Sequence, residues 1–305
     1  MPRLIRIGTR ASKLARVQAE MVRDALAKAA PEATFELVAM TTAGDRELHK
    51  KLSDWGYKGL FTKELEDLLL SGEIDLAVHS MKDMPSVLPD GLVIAGMLER
   101  ADVRDAWVSP HYASLHDVPQ GATIGTSSAR RCAQVLHMRP DLRVVEFRGN
   151  VETRLRKLDE KIAVATFLAS AGLTRLGLTQ HIRELVAPEI MLPAAAQGAI
   201  GIECRAARAD AIALVEAISH APTMQCLAAE RAFLAELDGS CRTPIAGLAV
   251  LENGTIHLRG EVLSLDGKIR HFHELRGPAT DAEKLGIALG HELRARAGDA
   301  LLTHG

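Results

Sequence analysis

The sequence predicts an α/β protein with two similar α/β lobes, a cleft between them, and a small C-terminal α+β domain with a three-stranded antiparallel sheet. Over the first two thirds of the chain, short β-rich runs alternate with amphipathic helical segments, which is typical of α/β folds. From about residue 220 the pattern changes to one helix, three strand-like runs and a last helix. The length of 305 residues suits two or three domains.

The first lobe begins with three strand-like runs and two helical segments. Strands are predicted at LIRI, TFELVAM and IDLAVHS, and helices at KLARVQAEMVRDALAKA and FTKELEDLLLSG. Because strands and helices alternate here, we expect a mainly parallel sheet with helices on its faces.

The middle third repeats this order, although no internal sequence repeat is strong enough to establish a duplication. GATIGTSSARRCAQVLHMRP and LRVVEFRGNVETRLRKLDE each combine a strand, a polar turn and a helix, and AVATFLAS is a buried strand. The Ala- and Gly-rich segment LPAAAQGAIGIECR predicts a strand in a crowded place, which we expect to return to the first lobe.

The C-terminal domain combines a small sheet with two helices. The helix TMQCLAAERAFLAEL precedes three strands within IAGLAVLENGTIHLRGEVLSLDGKIRHFHELRG, with turns at Asn253-Gly254 and Asp266-Gly267. The last helix, DAEKLGIALGHELRARAG, would cover one face of the sheet. These patterns place the first lobe in residues 1–99 and 200–218, the second in 100–199, and the C-terminal domain in 219–305.

Composition and charge exclude several classes of protein. The net charge is −2 and aromatic residues make up 3% of the chain, so nucleic acid has neither a global attraction nor a stacking platform. No secretory signal is seen, and no stretch approaches roughly 18 uninterrupted apolar residues, so we expect a cytoplasmic protein. The four cysteines form no C-x-x-C pair and the histidines lack metal-binding spacing, so neither disulfides nor a metal is expected.

Three polar turns that precede helices carry arginines. A helix start exposes unpaired N–H groups, and arginine can hold a carboxylate with two parallel hydrogen bonds, so the turns together predict an anion cradle. Ordinary helix caps with surface arginines are the alternative. The turns are GTRAS, TSSARR and RGNVETR, with Arg10, Arg130, Arg131, Arg148 and Arg154 and the N-cap candidates Thr9, Ser12, Thr126, Ser127 and Ser128.

The pair Lys82-Asp83 follows directly on the buried run IDLAVHS. In an α/β sheet the carboxyl end of a strand is where ligands usually bind, and a fixed carboxylate there can stabilise a cation or accept a proton. A solvated turn before Met84 is the alternative. His79, in the same run, is either a general base or a structural histidine.

Cys241 lies in the turn DGSCRTP, where the neighbouring Arg242 favours a thiolate, so a reactive or modified thiol is predicted. Cys132, Cys204 and Cys226 lie in helical or strand patterns and are predicted to be small core residues. A nucleotide site is not expected, because the chain has neither G-x-x-x-x-G-K-[ST] nor G-x-G-x-x-G.

Taken in order, a set of motifs that runs over almost the whole chain resembles the porphobilinogen deaminase family, also called the hydroxymethylbilane synthases. The motifs are RASKLA, KGLFTKELE, DLAVHSMKDMP, GTSSARR, RGNVETRL, AGLTRLG, LPAAAQGAIGIECR and GSCRTPIA. HSMKD, GTSSxRR and RGNVxTRL, at their distances from one another, carry most of the resemblance.

The resemblance implies a transferase of tetrapyrrole (haem) biosynthesis that joins four porphobilinogen molecules head to tail, with loss of ammonia, to give hydroxymethylbilane. It also implies a covalent dipyrromethane cofactor, joined by a thioether to a cysteine at the position of Cys241 in the third domain. The family's first two domains resemble two-lobed solute-binding proteins. We therefore expect porphobilinogen as the small-molecule partner and a monomer that binds neither nucleic acid nor membrane.

Residues at matching motif positions receive roles from the same resemblance. Asp83 would be catalytic, because it would stabilise cationic pyrroles without forming a covalent bond. The cofactor would be bound by Cys241 (covalently), Lys58, Lys82, Asp83, Ser127, Ser128, Arg130 and Arg131. Substrate would be bound by Arg10, Ser12, Arg148, Arg154, Arg175, Gln197 and Gly198.

The chain departs from the family pattern at a few positions. Asp54 stands where many relatives carry a basic residue, and Tyr57 where glycine is common, so one charge on the cofactor side is missing or the loop around Trp55 is arranged differently. Ala196 replaces a frequent glycine, and Val164 replaces a usual aspartate.

Two other functions are compatible with the arginine turns. A two-lobed receptor for a small polyanion would use them without turnover, and a phosphate-handling transferase would use TSSARR, although the phosphate loop is missing. Asp83 and Cys241 favour the enzyme, because a carboxylate receptor gains nothing from a negative charge in its site or from a reactive thiol.

Overall fold

The computed structural model of the protein describes residues 4–41, 62–237 and 243–298. The strands are β1 (Leu4–Arg10), β2 (Thr34–Met40), β3 (Leu76–Ser80), β4 (Leu92–Met97), β5 (Asp105–Val108), β6 (Thr123–Gly125), β7 (Arg143–Val145), β8 (Ala165–Ala169), β9 (Glu184–Val186), β10 (Ile200–Arg205), β11 (Ile245–Glu252), β12 (Thr255–Leu263) and β13 (Arg270–Pro278). The α-helices are α1 (Lys13–Ala29), α2 (Lys63–Ser71), α3 (Ala129–Met138), α4 (Val151–Asp159), α5 (Ser170–Arg175), α6 (Ala209–Glu216), α7 (Ala221–Glu236) and α8 (Ala282–Ala297). Among the helices of these described residues, none combines the length and the apolar character needed to span a bilayer.

The described residues form two five-stranded sheets and one three-stranded sheet, which confirms the predicted fold class. They fall into two compact units, one within Met1–Ala101 and Gly198–Met224 and the other within Asp102–Gln197 and Gln225–Gly305. The second unit contains both the second five-stranded sheet and the C-terminal sheet. The three predicted domain boundaries stay predictions.

The first sheet has the strand order β2-β1-β3-β10-β4. β1 pairs in parallel with β2 and β3, whereas β10 runs antiparallel to β3 and β4. The segment LPAAAQGAIGIECR therefore returns to the first lobe as expected. Ile7, Val78 and Ile202 from three of these strands pack with Leu26 of α1 in a core whose buried members are at most 3% exposed.

The second sheet has the order β7-β6-β8-β5-β9. β6 pairs in parallel with β7 and β8, and β5 runs antiparallel to β8 and β9. The core of this sheet contains Trp107, whose ring meets Phe167 edge-on with centroids 4.9 Å apart. The buried indole N–H donates to the Tyr112 carbonyl at 3.0 Å, so the tryptophan is buried without an unsatisfied donor.

The two five-stranded sheets share one topology. In each, a strand from a distant part of the chain is inserted, antiparallel, between the third parallel strand and the edge strand: β10 in the first sheet and β5 in the second. The expectation of mainly parallel sheets is therefore wrong. The inserted strands make half of the pairings antiparallel, and the pattern along the chain does not show where such a strand will dock.

The C-terminal sheet has the antiparallel order β11-β12-β13. Asn253 and Gly254, at φ 50° and 76°, form the turn between β11 and β12, as a two-residue hairpin turn with positive φ requires. Gly267, at φ 70°, lies in the next turn. α8 packs on β12 and β13 with Leu289 and Leu293 buried. The predicted three strands, two turns and covering helix are thus confirmed.

Three cysteines lie within the described residues. Cys204 and Cys226 are buried, as predicted for core residues, and Cys132 is half-buried. Burial raises the pKa of Cys132 and of Cys204. Neither of these two thiols is therefore favoured as a thiolate.

Candidate functional site

The GTRAS turn joins β1 to α1 in the first unit. The Ser12 hydroxyl accepts from the Ala15 amide at 3.4 Å, which confirms Ser12 as the N-cap of the helix. Thr9 is not a cap, because its buried hydroxyl donates to the Ala15 carbonyl at 3.0 Å. These two bonds fix the turn, and Arg10 between them is half-buried.

Lys82 and Asp83 lie in a 3-10 turn, Met81–Asp83, immediately after β3. Met81 is buried and anchors the turn, and its amide donates to the Ala199 carbonyl at 3.1 Å. A Cβ on Gly201 would collide with the Met81 side chain, so glycine in β10 leaves room for this anchor. Asp83 is exposed at the carboxyl end of the strand, where the sequence predicted it.

Arg10 and Asp83 come together around one pocket of the first unit, so the structure joins two of the predicted site residues. Gln18 and Ser80 line the same pocket and exchange two hydrogen bonds between their side chains, at 2.9 and 3.0 Å. The sequence interpretation missed both, although Gln18 is a polar residue on the buried face of α1. The pocket is lined by Arg10, Ala15, Gln18, Thr62, Val78, His79, Ser80 and Asp83.

A buried cluster of titratable groups lies beside this pocket. Nε2 of His79 lies 2.9 Å from Oε2 of Glu203 on β10, and the two residues are 5% and 0% exposed. Glu66 of α2 is 5% exposed, and burial, reinforced by the charge of Glu203, raises its pKa. The sequence raised His79 as a candidate base or a structural histidine but did not identify either glutamate.

The TSSARR turn joins β6 to α3 in the second unit, at the place that GTRAS occupies in the first. The Ser128 hydroxyl accepts from the Arg131 amide at 3.4 Å and caps α3, as predicted. The Ser127 hydroxyl accepts from the Phe147 amide at 2.8 Å, and Thr126 accepts from the Ser128 amide at 3.2 Å. The three hydroxyls therefore hold the turn in one conformation.

Arg130 and Arg131 lie in a buried ion cluster around Asp105, the first residue of β5. Nη1 of Arg130 lies 2.8 Å from Oδ2 of Asp105, and Nη2 of Arg131 lies 2.6 Å from Oδ1. Burial by itself raises the pKa of Asp105, but the two guanidinium charges and their hydrogen bonds outweigh it and hold the pKa well below the usual range. The sequence missed Asp105, and the acidic residue that opens the apolar run DAWV was the available signal.

Further bonds join this cluster to the rest of the second unit. Arg131 donates to the Phe167 carbonyl at 2.8 Å, and Arg130 to the Leu192 carbonyl at 2.9 Å. Gln134 accepts from Arg130 at 3.1 Å and donates to Glu261 of the C-terminal sheet at 3.0 Å. Both arginines therefore organise the interior of this unit, whatever contact they make with a ligand.

The RGNVETR turn precedes α4. Asn150, which the sequence interpretation did not identify, caps the helix by accepting from the Thr153 amide at 2.8 Å. Arg148 pairs with Glu146 at 2.5 Å, and Nε of Arg154 donates to the Gly149 carbonyl at 2.9 Å. Both arginines are half-buried beside a helix start, which is the placement expected for an anion site.

The remaining predicted residues of the second unit are Arg175 and Gln197. Arg175 ends α5, and burial lowers its pKa to about 10. Gln197 is 1% exposed and donates to the Val103 carbonyl at 2.8 Å and to Asp105 at 3.1 Å, so it belongs to the same buried cluster as Arg130 and Arg131.

Gly198 belongs to the first unit, where its carbonyl accepts from the Ala101 amide at 3.2 Å and its φ is 91°. Lys58 and Cys241 lie outside the described residues, as do the departures Asp54, Trp55 and Tyr57.

The chain was compared with known families and structures. The family model described as "Porphobilinogen deaminase, dipyromethane cofactor binding domain" matches residues 5–213, and the model "Porphobilinogen deaminase, C-terminal domain" matches residues 224–295. Among solved structures, the methionine-binding protein MetQ is 16% identical, with a TM-score of 0.44, and the match covers 74% of this chain and 94% of that one. A TRAP periplasmic solute-binding protein from Desulfovibrio salexigens is 11% identical, with a TM-score of 0.45, and the match covers 72% and 73% of the two chains.

A protein of similar length gives a much stronger match. The porphobilinogen deaminase of Paracoccus denitrificans (strain Pd 1222) is 55% identical over 295 residues, which are 96% of this chain and 94% of that protein. This identity extends over both matched family models. The chain therefore belongs to the porphobilinogen deaminase family.

Proposed function

We propose that the enzyme condenses four porphobilinogen molecules head to tail, with loss of ammonia, and that Asp83 is the catalytic carboxylate. Membership of the family decides for an enzyme of tetrapyrrole synthesis over a receptor or a phosphate-handling transferase. The observation that supports the role of Asp83 is its position in one pocket with Arg10, at the carboxyl end of β3.

The reaction requires a negative charge near the pyrrole nitrogens. Loss of ammonia from porphobilinogen leaves an azafulvenium-type cation, and attack by a second pyrrole makes another cationic ring that must lose its α-proton. Asp83 accepts hydrogen bonds from the pyrrole N–H groups and stabilises both cations without forming a covalent bond. A carboxylate held in place by a short turn needs little reorganisation when these charges form.

The arginines supply the complementary recognition. Each porphobilinogen carries an acetate and a propionate, and arginine binds a carboxylate with two parallel hydrogen bonds. Helix starts add unpaired N–H groups with a positive dipole end. The residues that would bind substrate are Arg10, Ser12, Arg148, Arg154, Arg175, Gln197 and Gly198.

The donor set also fits a dipyrromethane, because Asp83 suits pyrrole N–H groups and Arg10, in the same pocket, suits a carboxylate. When bound, this cofactor supplies a free pyrrole α-carbon on which condensation begins. The residues that would hold it are Cys241, Lys58, Lys82, Asp83, Ser127, Ser128, Arg130 and Arg131. For Arg130 and Arg131 the bonds to Asp105 support a second contribution, which is to hold the TSSARR turn in place.

We also propose that the enzyme works as a monomer in the cytoplasm and binds neither nucleic acid nor membrane. The net charge of −2 and the absence of a long apolar stretch in the sequence support this proposal.

Intact-mass measurement of the purified protein tests the proposed function. The parental protein should be heavier than its chain by two linked pyrroles, and limiting porphobilinogen should add covalent increments of one deaminated pyrrole unit. Cys241→Ser should abolish the modification, because a hydroxyl is a far poorer nucleophile than a thiolate near neutral pH. Matched controls are Cys132→Ser and Cys226→Ser, which should retain it. Reversible binding of porphobilinogen without any covalent increment in the parental protein would contradict the proposal.

A further inference from the structure

We propose that His79 is a second catalytic residue, the base that removes the α-proton from a substrate-derived pyrrole after the next porphobilinogen has been joined to it. This proposal rests on the proposed function of the Asp83 pocket and assigns a step that Asp83 does not perform. Asp83 stabilises charge at nitrogen, whereas the proton that must leave is on carbon.

The position of His79 fits this role. His79 lines the same pocket as Arg10 and Asp83. Its Nε2 is engaged with Oε2 of Glu203 at 2.9 Å, and no hydrogen-bond partner of Nδ1 is seen among the described residues. With the Nε2 proton donated to Glu203, Nδ1 carries the lone pair that can accept a proton. A histidine whose second nitrogen is held by a carboxylate is the usual arrangement of a general base.

The surroundings of His79 favour a protonated ring after the step. Glu203 is fully buried, so its carboxylate gains an opposite charge at hydrogen-bond distance when His79 becomes an imidazolium. Glu66 lies beside the pair, and Oε1 of Glu66 and Oε1 of Glu203 are both buried without a hydrogen-bond partner in the described structure. The charged groups around His79 are therefore Glu203 from β10, Glu66 from α2, and Arg10 and Asp83 at the pocket.

The proposed step balances without any other reactant. After the new carbon–carbon bond has formed, the attacked α-carbon carries both a hydrogen and the new methylene group, and its ring is cationic. The C–H bond breaks, its electron pair restores the aromatic pyrrole, and the proton goes to Nδ1 of His79. The imidazolium then returns the proton to solvent or to the departing ammonia. At neutral pH an imidazole is a stronger base than an ordinary carboxylate, which suits it to this transfer.

The test combines His79→Asn with porphobilinogen that carries deuterium at its free α-carbon. This deuterium is lost when the next unit is joined, so its isotope effect reports on the second and later additions. We expect His79→Asn to slow these additions about 10²–10⁴-fold, the usual contribution of general base catalysis, and to enlarge the isotope effect. Added imidazole should restore part of the rate. The matched control is His257→Asn, which breaks a similar pair with Glu274, at 3.0 Å, on the C-terminal sheet and should change neither rate nor isotope effect.

Elongation by His79→Asn at the parental rate, with an unchanged isotope effect, would overturn the inference. The proposed function is judged separately: it fails if the parental protein gains no mass increments, whereas the inference alone fails if Asp83→Asn blocks elongation and His79→Asn does not. A second measurement is independent of turnover and of the folding of variants. Nitrogen NMR of ¹⁵N-histidine in the parental protein, above about pH 8 where histidine is ordinarily neutral, should show the His79 proton on Nε2. A proton on Nδ1 would also overturn the inference.

Discussion

The two five-stranded sheets have the same strand order, yet they neutralise a buried carboxylate in opposite ways. In each sheet the inserted antiparallel strand carries a fully buried acid, Glu203 on β10 and Asp105 on β5. Asp105 is held by two arginines, whose charge is permanent. Glu203 is held by His79, whose charge changes near neutral pH. One topology therefore contains a fixed ion cluster in one sheet and a cluster that can exchange protons in the other.

The difference extends to the ends of the equivalent strands. β3 is followed by a short turn with the exposed Asp83, whereas β8 is followed directly by the helix α5, which starts at Ser170. The proposed catalytic carboxylate and the proton-exchanging cluster thus belong to the first sheet. The second sheet provides capped helix starts and arginines, which suit the binding of carboxylates. We infer that the first unit performs the chemistry and the second mainly holds the acidic side chains of the substrate.

Asp105→Asn should give the largest effect, because it breaks the fixed cluster. The asparagine leaves two buried guanidinium groups without a carboxylate, and removal of one partner of a buried ion pair costs roughly 3–5 kcal/mol. The free energy of unfolding at pH 7, measured with denaturant, should fall by this amount. The pKa of Asp105 is depressed in the folded protein, so its contribution is present above the ordinary carboxyl pKa and is lost as pH falls below it. The parental and variant stabilities should therefore converge in acid.

The matched control is Asp102→Asn, which breaks the partly exposed pair with Arg104 at 2.7 Å. It should cost less than about 1 kcal/mol. Equal losses in the two variants would contradict the view that Asp105 organises the second unit.

Asp83→Asn should leave the fold intact and suppress turnover. The amide keeps the shape of the side chain but lacks the charge that stabilises cationic pyrroles, and the loss of such a group costs on the order of 3–4 kcal/mol, or hundreds-fold in rate. Steady-state turnover of porphobilinogen is the measurement. Asp90→Asn, at another exposed aspartate of the same unit, is the control and should be nearly neutral. Turnover by Asp83→Asn within a few-fold of the parental rate would remove Asp83 from the catalytic role.

Glu66→Gln should sharpen the contrast, because its effect on stability is opposite in sign to that of Asp105→Asn. Burial raises the pKa of Glu66 in the folded protein, so the parental protein loses stability as pH rises from the ordinary carboxyl pKa through the raised value. Glutamine does not ionise and avoids this loss. The variant should match the parental protein in acid and be more stable at pH 8, as measured by thermal unfolding. Glu20→Gln on the exposed side of α1 should show no such trend, and a variant less stable at every pH would refute the explanation.

The sequence predicted those parts of the fold whose signals are local. Alternating apolar runs and capped helix starts predicted most of β1 to β3 and α1 to α4, and paired turn residues predicted the C-terminal hairpins. β5 was missed because DAWV is only four residues long and its place depends on strands far along the chain. The antiparallel insertion of β5 and β10 follows from tertiary pairing, which local patterns do not encode.

The candidate site was predicted only where one residue type in a turn is informative by itself. Arg10, Ser12 and Asp83 could be identified in this way. Gln18 could not, because its partner Ser80 is 62 residues away, and Glu203 could not, because His79 is 124 residues away. A buried polar residue looks like an error in an apolar pattern until its partner is known. Arg130 and Arg131 were identified as anion binders for the same reason, since their partner Asp105 lies 25 and 26 residues earlier in the chain.

Ala196→Gly should give the smallest effect, at a point where the chain passes from the second sheet back to the first. Ala196 has φ 62°, and its amide donates to Glu230 at 2.5 Å, so the left-handed conformation is held by a bond that glycine would keep. A non-glycine residue pays roughly 1–2 kcal/mol in this region, whereas glycine adds about 0.4–1 kcal/mol of unfolded-state entropy. The net gain in the free energy of unfolding should therefore be below about 1 kcal/mol, which explains how alanine is tolerated where relatives often carry glycine. Ala195→Gly is the control: Ala195 is also buried but has no positive φ, so it should lose stability by roughly 0.5–1 kcal/mol. If both variants lose stability equally in denaturant unfolding, Ala196 is not strained.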